Sequence, residues 1–167
     1  MTSRSEAPCP AGVRLAIFDV DGVFTDGRFY LSNDGSESKA FHTQDGHGVK
    51  ELIRAGIAVA VISARRSRAV DLRMAELGVP HVLQGVPDKL QAFESLLREL
   101  QLDPPQCVYT GDDVPDLPLL RKAGFAVAVA NAVDEVKAAS DYVTRAPGGA
   151  GAVREICELI LRGAARA

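Results

Sequence analysis

Leu15-Ala16-Ile17-Phe18-Asp19-Val20-Asp21-Gly22-Val23-Phe24-Thr25-Asp26-Gly27 is the stretch that decides the fold. Four apolar residues run straight into two carboxylates, Asp19 and Asp21, and then into glycine-bearing turns. A strand buried in a parallel sheet reads as such a continuous apolar run, and ligands in open α/β sheets gather at the carboxyl ends of these strands. Two acids one residue apart at that place are costly, because like charges raise each other's pKa unless a proton or cation lies between them. A divalent metal ion resolves the conflict most simply. On its own, a D-x-D is as readily a strand end with two solvated turn acids, so the rest of the chain has to decide.

The alternation of apolar strand and amphipathic helix continues along the chain. Residues 1–12, with Pro8, Pro10 and Gly12, read as a disordered tail, and residues 13–167 as one domain of ordinary size. Strands are expected at 13–19, 58–62, 81–83, 107–110, 125–129 and 142–143. Helices are expected at 46–55, 66–77, 88–100, 116–123, 133–139 and 152–162. The third of them repeats Leu90, Phe93, Leu96, Leu97 and Leu100 at helical spacing. Asp45 is the expected cap of the first and Gly56 its stop. Segments 28–31 and 38–41 flank Ser32-Asn33-Asp34-Gly35, a hairpin signal built on the Asp-Gly turn. This order predicts an α/β fold with a doubly wound, Rossmann-like, mostly parallel sheet and helices on both faces. The β-hairpin is inserted after the first strand, and no cap domain is expected.

Composition narrows the function classes. Of 167 residues, 47% are hydrophobic and 25% charged, as in a soluble globular chain. A net charge of −3 without a basic block argues against nucleic acid as a partner. No apolar run approaches the ~20 residues that span a bilayer, so no membrane partner is expected. The N-terminus lacks the apolar centre of a signal peptide, and the cytoplasm is the expected address. Cys9, Cys107 and Cys157 have no metal-type spacing; Cys107 and Cys157 read as small core residues.

Polar residues at the predicted strand ends carry the chemistry. Asp19 ends the first strand, Ser63 ends the second, Lys89 opens the helix after the third, and Asp112 follows the fourth. A doubly wound sheet lines these ends along one edge. Carboxylates, a hydroxyl and a lysine together suit a phosphoryl group held against Mg²⁺. By charge, Asp19 is the candidate nucleophile, forming an aspartyl-phosphate, and Asp21 the group that protonates the leaving alkoxide and then activates water. Asp112 is the second carboxylate on the metal, joined by the backbone carbonyl of Asp21; Asp113 either ligates directly or acts from behind the ligands.

The order Asp19-Val20-Asp21-Gly22, Ser63, Lys89, Gly111-Asp112-Asp113 resembles the four motifs of the haloacid dehalogenase superfamily of phosphatases. Each motif alone has a plain alternative: a turn hydroxyl, a solvated helix lysine, a Gly-Asp-Asp turn. Four in order are specific. The hairpin, Lys39 to Gly48, Gln84-Gly85 and Gly148-Gly149-Ala150-Gly151 resemble more closely the small capless branch that acts on sugar-acid phosphates. That resemblance implies hydrolysis of 3-deoxy-D-manno-octulosonate 8-phosphate in lipopolysaccharide precursor synthesis. It also implies a homotetramer in which a neighbouring subunit covers each site and excludes water.

The resemblance further implies substrate contacts at His42, Thr43, Gln44, Asp45, Gly46, Lys50, Arg65 and Arg73, besides Asp21 and Lys89. The guanidinium forks of Arg65 and Arg73 suit the substrate's far carboxylate, although Arg73 is also spaced to pair with Glu76. A sister group acting on nine-carbon sialic-acid-type 9-phosphates typically has Glu in place of Arg65 and Lys in place of Glu76, so both positions favour the eight-carbon substrate. Departures from the branch are Ser63-Ala64 for the commoner Thr-Gly, Gln44 for a frequent basic residue, and Ala150 for a common arginine. More distant readings are a receiver-type phospho-accepting signalling module and a homologue without activity. The former places its paired acids first and its phosphorylated aspartate later, the reverse of this order; the latter would have to lose carboxylates that are all present.

Overall fold

In the computed structural model, which describes residues 9–165, the chain runs β1 (Leu15–Phe18), β2 (Tyr30–Leu31), β3 (Glu37–Ser38), α1 (Thr43–Arg54), β4 (Ala58–Ser63), α2 (Arg68–Leu77) and β5 (His81–Gln84). It continues through α3 (Lys89–Leu100), β6 (Cys107–Gly111), α4 (Leu117–Leu120), β7 (Phe125–Ala128), α5 (Asp134–Ala138), β8 (Tyr142–Val143) and α6 (Ala152–Ala164). Six strands form one parallel sheet in the order β5-β4-β1-β6-β7-β8, while β2 and β3 pair antiparallel as a separate ribbon. The expected doubly wound α/β sheet with a hairpin after its first strand is therefore present.

β1 is central because nothing in it tolerates water: all four side chains are fully buried between β4 and β6. The chain winds outward from β1 to β4 and β5, then returns to β6 on the other side of β1. That reversal opens a crevice at the carboxyl ends of β1, β4 and β6. Helices flank the sheet, α1 packing on α6 and α3 on α4. Val153, Ile156, Cys157 and Ile160 form a completely buried stripe on α6, the apolar face that holds an amphipathic helix to its core.

Several boundaries differ from expectation. α1 starts at Thr43 with His42 in the cap position, so Asp45 is not its cap. Asp45 is instead 1% exposed and accepts a 2.8 Å hydrogen bond from the Arg154 N–H in the first turn of α6. Gly151 offers α6 no side-chain cap, and Asp45 satisfies one of its free N–H groups from the neighbouring helix. The hairpin strands are two residues each, shorter than the expected four, and α4 is a single turn entered through a 3₁₀ turn at Val114–Asp116. The first eight residues of the expected tail lie outside the described residues. Cys9, placed in that tail by sequence, is buried, with its carbonyl against Gly163 of α6. Cys107 and Cys157 are fully buried. Among the described residues, no helix is long and apolar enough to cross a membrane.

Candidate active site

A cavity of about 280 Å³ opens at the carboxyl ends of β1, β4 and β6, lined by Asp19, Asp21, Ser63, Arg65, Lys89, Asp112, Asp113 and Asp116. Four separate segments thus deliver the acids, hydroxyl and lysine expected from the strand ends. Ser63 is 4% exposed at the end of β4.

Lys89 is no solvated surface lysine. Its Nζ lies 3.0 Å from Asp19 Oδ1 and 2.8 Å from Asp116 Oδ1, with all three side chains a tenth exposed or less. Burial alone would lower the Lys89 pKa, but the two carboxylates outweigh it and hold the ammonium above its ordinary range.

Asp116 was not singled out from the sequence. It accepts from the Tyr109 hydroxyl (2.6 Å) and Lys89 at Oδ1, and from the Asp112 and Asp113 N–H groups (3.0 and 3.3 Å) at Oδ2. In sequence it reads as a helix-start acid. The signal that marks it is the glycine before the pair: a Cβ at Gly111 would run into the Asp116 side chain, so Gly111-Asp112-Asp113 and Asp116 form one unit.

Asp19, Asp112 and Asp116 bring carboxylate oxygens within 4.8 Å of one another. Burial first, then Asp116, pushes Asp19 up to about 6 against the pull of Lys89. Asp112 is pushed up to about 8 by burial, then by Asp19 and Asp116. The oxygen-only donor set fits a hard divalent cation, and a cation there relieves the repulsion. Asp116 already accepts four hydrogen bonds, which leaves Asp19 and Asp112 as the carboxylates free to hold one. Gly22 makes this approach possible: its φ is +87°, and a Cβ there would overlap Asp112 Oδ2.

The Asp21 and Asp113 carboxylates stand apart from that cluster. Asp113 Oδ1 accepts from the Val114 N–H at 2.8 Å and caps the 3₁₀ turn. Asp21 is turned toward Lys39, whose Nζ meets Oδ1, and toward Arg65, whose Nε lies 3.7 Å from Oδ2.

Of the other expected substrate contacts, only Arg65 lines the cavity. Thr43, Gly46, Lys50 and Arg73 line a second cavity of about 280 Å³, together with His47, Glu76 and Leu77, and the two cavities share no lining residue. There Arg73 pairs with Glu76 at 2.9 Å, the simple pairing its spacing allows. His42 sits at the cap of α1 with Nδ1 buried and without a hydrogen-bond partner among the described residues. Gln44 is exposed. Asp45 is committed to α6. Within one chain the two groups of residues are not brought together.

Residues 81–156 match the family described as haloacid dehalogenase-like hydrolase. A relative from Yersinia pestis, the 3-deoxy-D-manno-octulosonate 8-phosphate phosphatase KdsC, is 48% identical over 151 residues, 90% of this chain and 81% of its own. The chain belongs to this phosphatase family. Solved structures of the family carry the same fold. A probable YrbI family phosphatase from Pseudomonas syringae is 51% identical with a TM-score of 0.90, over 92% of this chain and 87% of that one. The 3-deoxy-D-manno-octulosonate 8-phosphate phosphatase of Moraxella catarrhalis, solved with magnesium, phosphate and KDO, is 45% identical with a TM-score of 0.89, over 91% and 87%.

Proposed function

We propose that the protein hydrolyses 3-deoxy-D-manno-octulosonate 8-phosphate to 3-deoxy-D-manno-octulosonate and phosphate, through an aspartyl-phosphate on Asp19. The observation that carries this reading is the Asp19 carboxylate beside the buried Lys89 ammonium, in one cavity with Ser63 and Asp112. Asp19 attacks phosphorus, and the bond from phosphorus to the sugar oxygen breaks. Asp21 gives its proton to the departing alkoxide, then takes one from the water that attacks phosphorus and frees Asp19. Lys89 and the Ser63 hydroxyl bind phosphoryl oxygens, and Asp116 and Tyr109 hold Lys89 in place. Asp19 and Asp112 would hold Mg²⁺, with the Asp21 backbone carbonyl and Asp113 as further ligand candidates; the ion supplies neutralisation of phosphoryl charge.

Arg65 at the cavity wall is the group that meets the sugar acid. The Arg73 and Lys50 cluster serves the substrate only if a second copy brings it to the first cavity. A homotetramer is the assembly proposed to bring that copy. Phe29, Tyr30 and Leu31, 39%, 65% and 69% exposed on the hairpin, offer an apolar surface for such association. The reading places residues 13–167 as one catalytic domain, working in the cytoplasm in lipopolysaccharide precursor synthesis.

Steady-state phosphate release from the eight-carbon substrate tests the reading: activity should vanish in EDTA and in Asp19→Asn. Undiminished turnover by Asp19→Asn would remove Asp19 as nucleophile. A higher kcat/KM on a nine-carbon 9-phosphate would replace the substrate.

A further inference from the structure

Lys39 lies beyond the four motifs, immediately after β3, yet its side chain is only 1% exposed. An ammonium group withdrawn from water is costly unless it is paired. Here the pairing closes a ring of four charges. Lys39 Nζ meets Asp21 Oδ1 and lies 3.7 Å from Glu37 Oε1; Glu37 Oε2 accepts from Arg65 Nη2 at 2.6 Å; and Arg65 Nε lies 3.7 Å from Asp21 Oδ2. Phe29 backs the ring, its centroid 3.9 Å from the Arg65 guanidinium and 6.0 Å from Lys39 Nζ. With Asp21 ionised the two acids and two bases balance; with Asp21 protonated, as a proton donor must be, the ring carries one positive charge.

The backbone beneath Asp21 is already set. The Asp19 N–H bonds Thr110 O at 2.9 Å, and the Phe24 N–H bonds Val20 O at 2.9 Å. What remains free is the Asp21 side chain, which must point at the leaving oxygen if it is to deliver a proton. Lys39 grips one of its oxygens and Arg65 approaches the other. We infer that Lys39 is a positioning residue for Asp21, so that the hairpin carrying Phe29, Glu37 and Lys39 sets the aim of the proton donor. The inference rests on the reading of Asp21 as acid to the leaving group.

The test measures single-turnover release of the alcohol, which precedes the water step that both substrates share, in Mg²⁺-loaded wild type, Asp21→Asn, Lys39→Met, Lys39→Arg and the double variant Asp21→Asn/Lys39→Met on two substrates. An alkyl substrate, the octulosonate 8-phosphate, needs its leaving oxygen protonated; p-nitrophenyl phosphate expels a stable phenolate and needs this far less. Lys39→Met is expected to slow this release from the sugar phosphate about 10²-fold, with substrate affinity and release from the aryl phosphate changed by less than about threefold. Lys39→Arg should restore most of the loss, and the double variant should be no slower than Asp21→Asn alone. Equal loss on both substrates, no loss, or a further loss on top of Asp21→Asn overturns the role of Lys39. If Lys39→Met does not fold, Lys39→Gln, which shortens the stem but keeps an amide donor, is read by the same ratio. Should Asp21→Asn itself lose both substrates equally, the reading of Asp21 falls and the inference with it; a selective Asp21→Asn beside an inert Lys39→Met removes only the latter.

Discussion

Lys89 Nζ stands 3.0 Å from Asp19 Oδ1, with both side chains almost wholly out of water. The pair joins the end of the central strand to the start of α3, and Asp116 holds the lysine from its other side. A carboxylate that attacks an anion needs such a fixed positive charge beside it. Asp19→Asn keeps the shape and removes the proposed nucleophile. It should lower kcat on the order of 10⁴-fold or more while leaving the fold intact, as checked by phosphate release and thermal melting on the same sample.

Asp112 separates stability from activity. Its carboxyl is pushed up to about 8 by burial, Asp19 and Asp116, so without metal the cluster repels itself. Above pH 8, where metal-free Asp112 is ionised, Asp112→Asn removes one charge and should raise the melting temperature of the EDTA-treated protein, by about 2–4 °C for each kcal/mol relieved. Wild type in Mg²⁺ at a hundred times its Kd should gain about 2.7 kcal/mol, a gain the variant forfeits along with its activity. A metal-free variant less stable than metal-free wild type would contradict this account.

Gly22 tests the same contact from the backbone. A side chain there meets Asp112 Oδ2 and must adopt a φ of +87°. Gly22→Ala should destabilise the fold by about 1–3 kcal/mol. It should also weaken Mg²⁺ binding measured by calorimetry, because Asp112 has to move.

The strand ends were legible because Asp19, Ser63 and Asp112 follow apolar runs whose burial forces them onto one edge. Lys89 was legible as the first residue of a periodic helix. Asp116 was not: nothing local distinguishes an acid that collects a tyrosine hydroxyl, a lysine and two backbone N–H groups from one that opens a helix. Lys39 was hidden for a similar reason, since its partners lie in the turn after β1, at Asp21, and on β3, at Glu37. Asp45 looked like a cap for its own helix and proved to serve α6, a choice set by helix packing. Nor does single-chain spacing tell that Arg65 and Arg73 end in separate cavities.

Glu155 gives the pH prediction. Burial raises its carboxyl, but the Tyr142 hydroxyl and the N–H groups of Arg145 and Ala146 outweigh this and leave it below the ordinary range. An acid whose folded pKa lies below its unfolded one stabilises the fold above the unfolded value, about 4.3 for glutamate, and loses that contribution as pH falls through the folded value. Glu155→Gln should therefore cost about 1–3 kcal/mol in urea unfolding at pH 7. The gap from wild type should narrow at pH 3. A gap that widens in acid would have the wrong sign.

Arg73 decides whether the second cavity belongs to the reaction. If it serves the site of another copy, Arg73→Ala loses one charge-assisted contact to the sugar acid, and kcat/KM should fall about tenfold or more. Asp19→Asn should be inactive for a different reason, in the other cavity. Oligomers reassembled from the two variants would then contain sites with an intact Asp19 from one copy facing an intact Arg73 from the other. Such mixtures should turn over faster than the sum of the two parents measured apart. Activity that stays at that sum would confine Arg73 to its Glu76 pair and leave Arg65 as the sole guanidinium at the substrate.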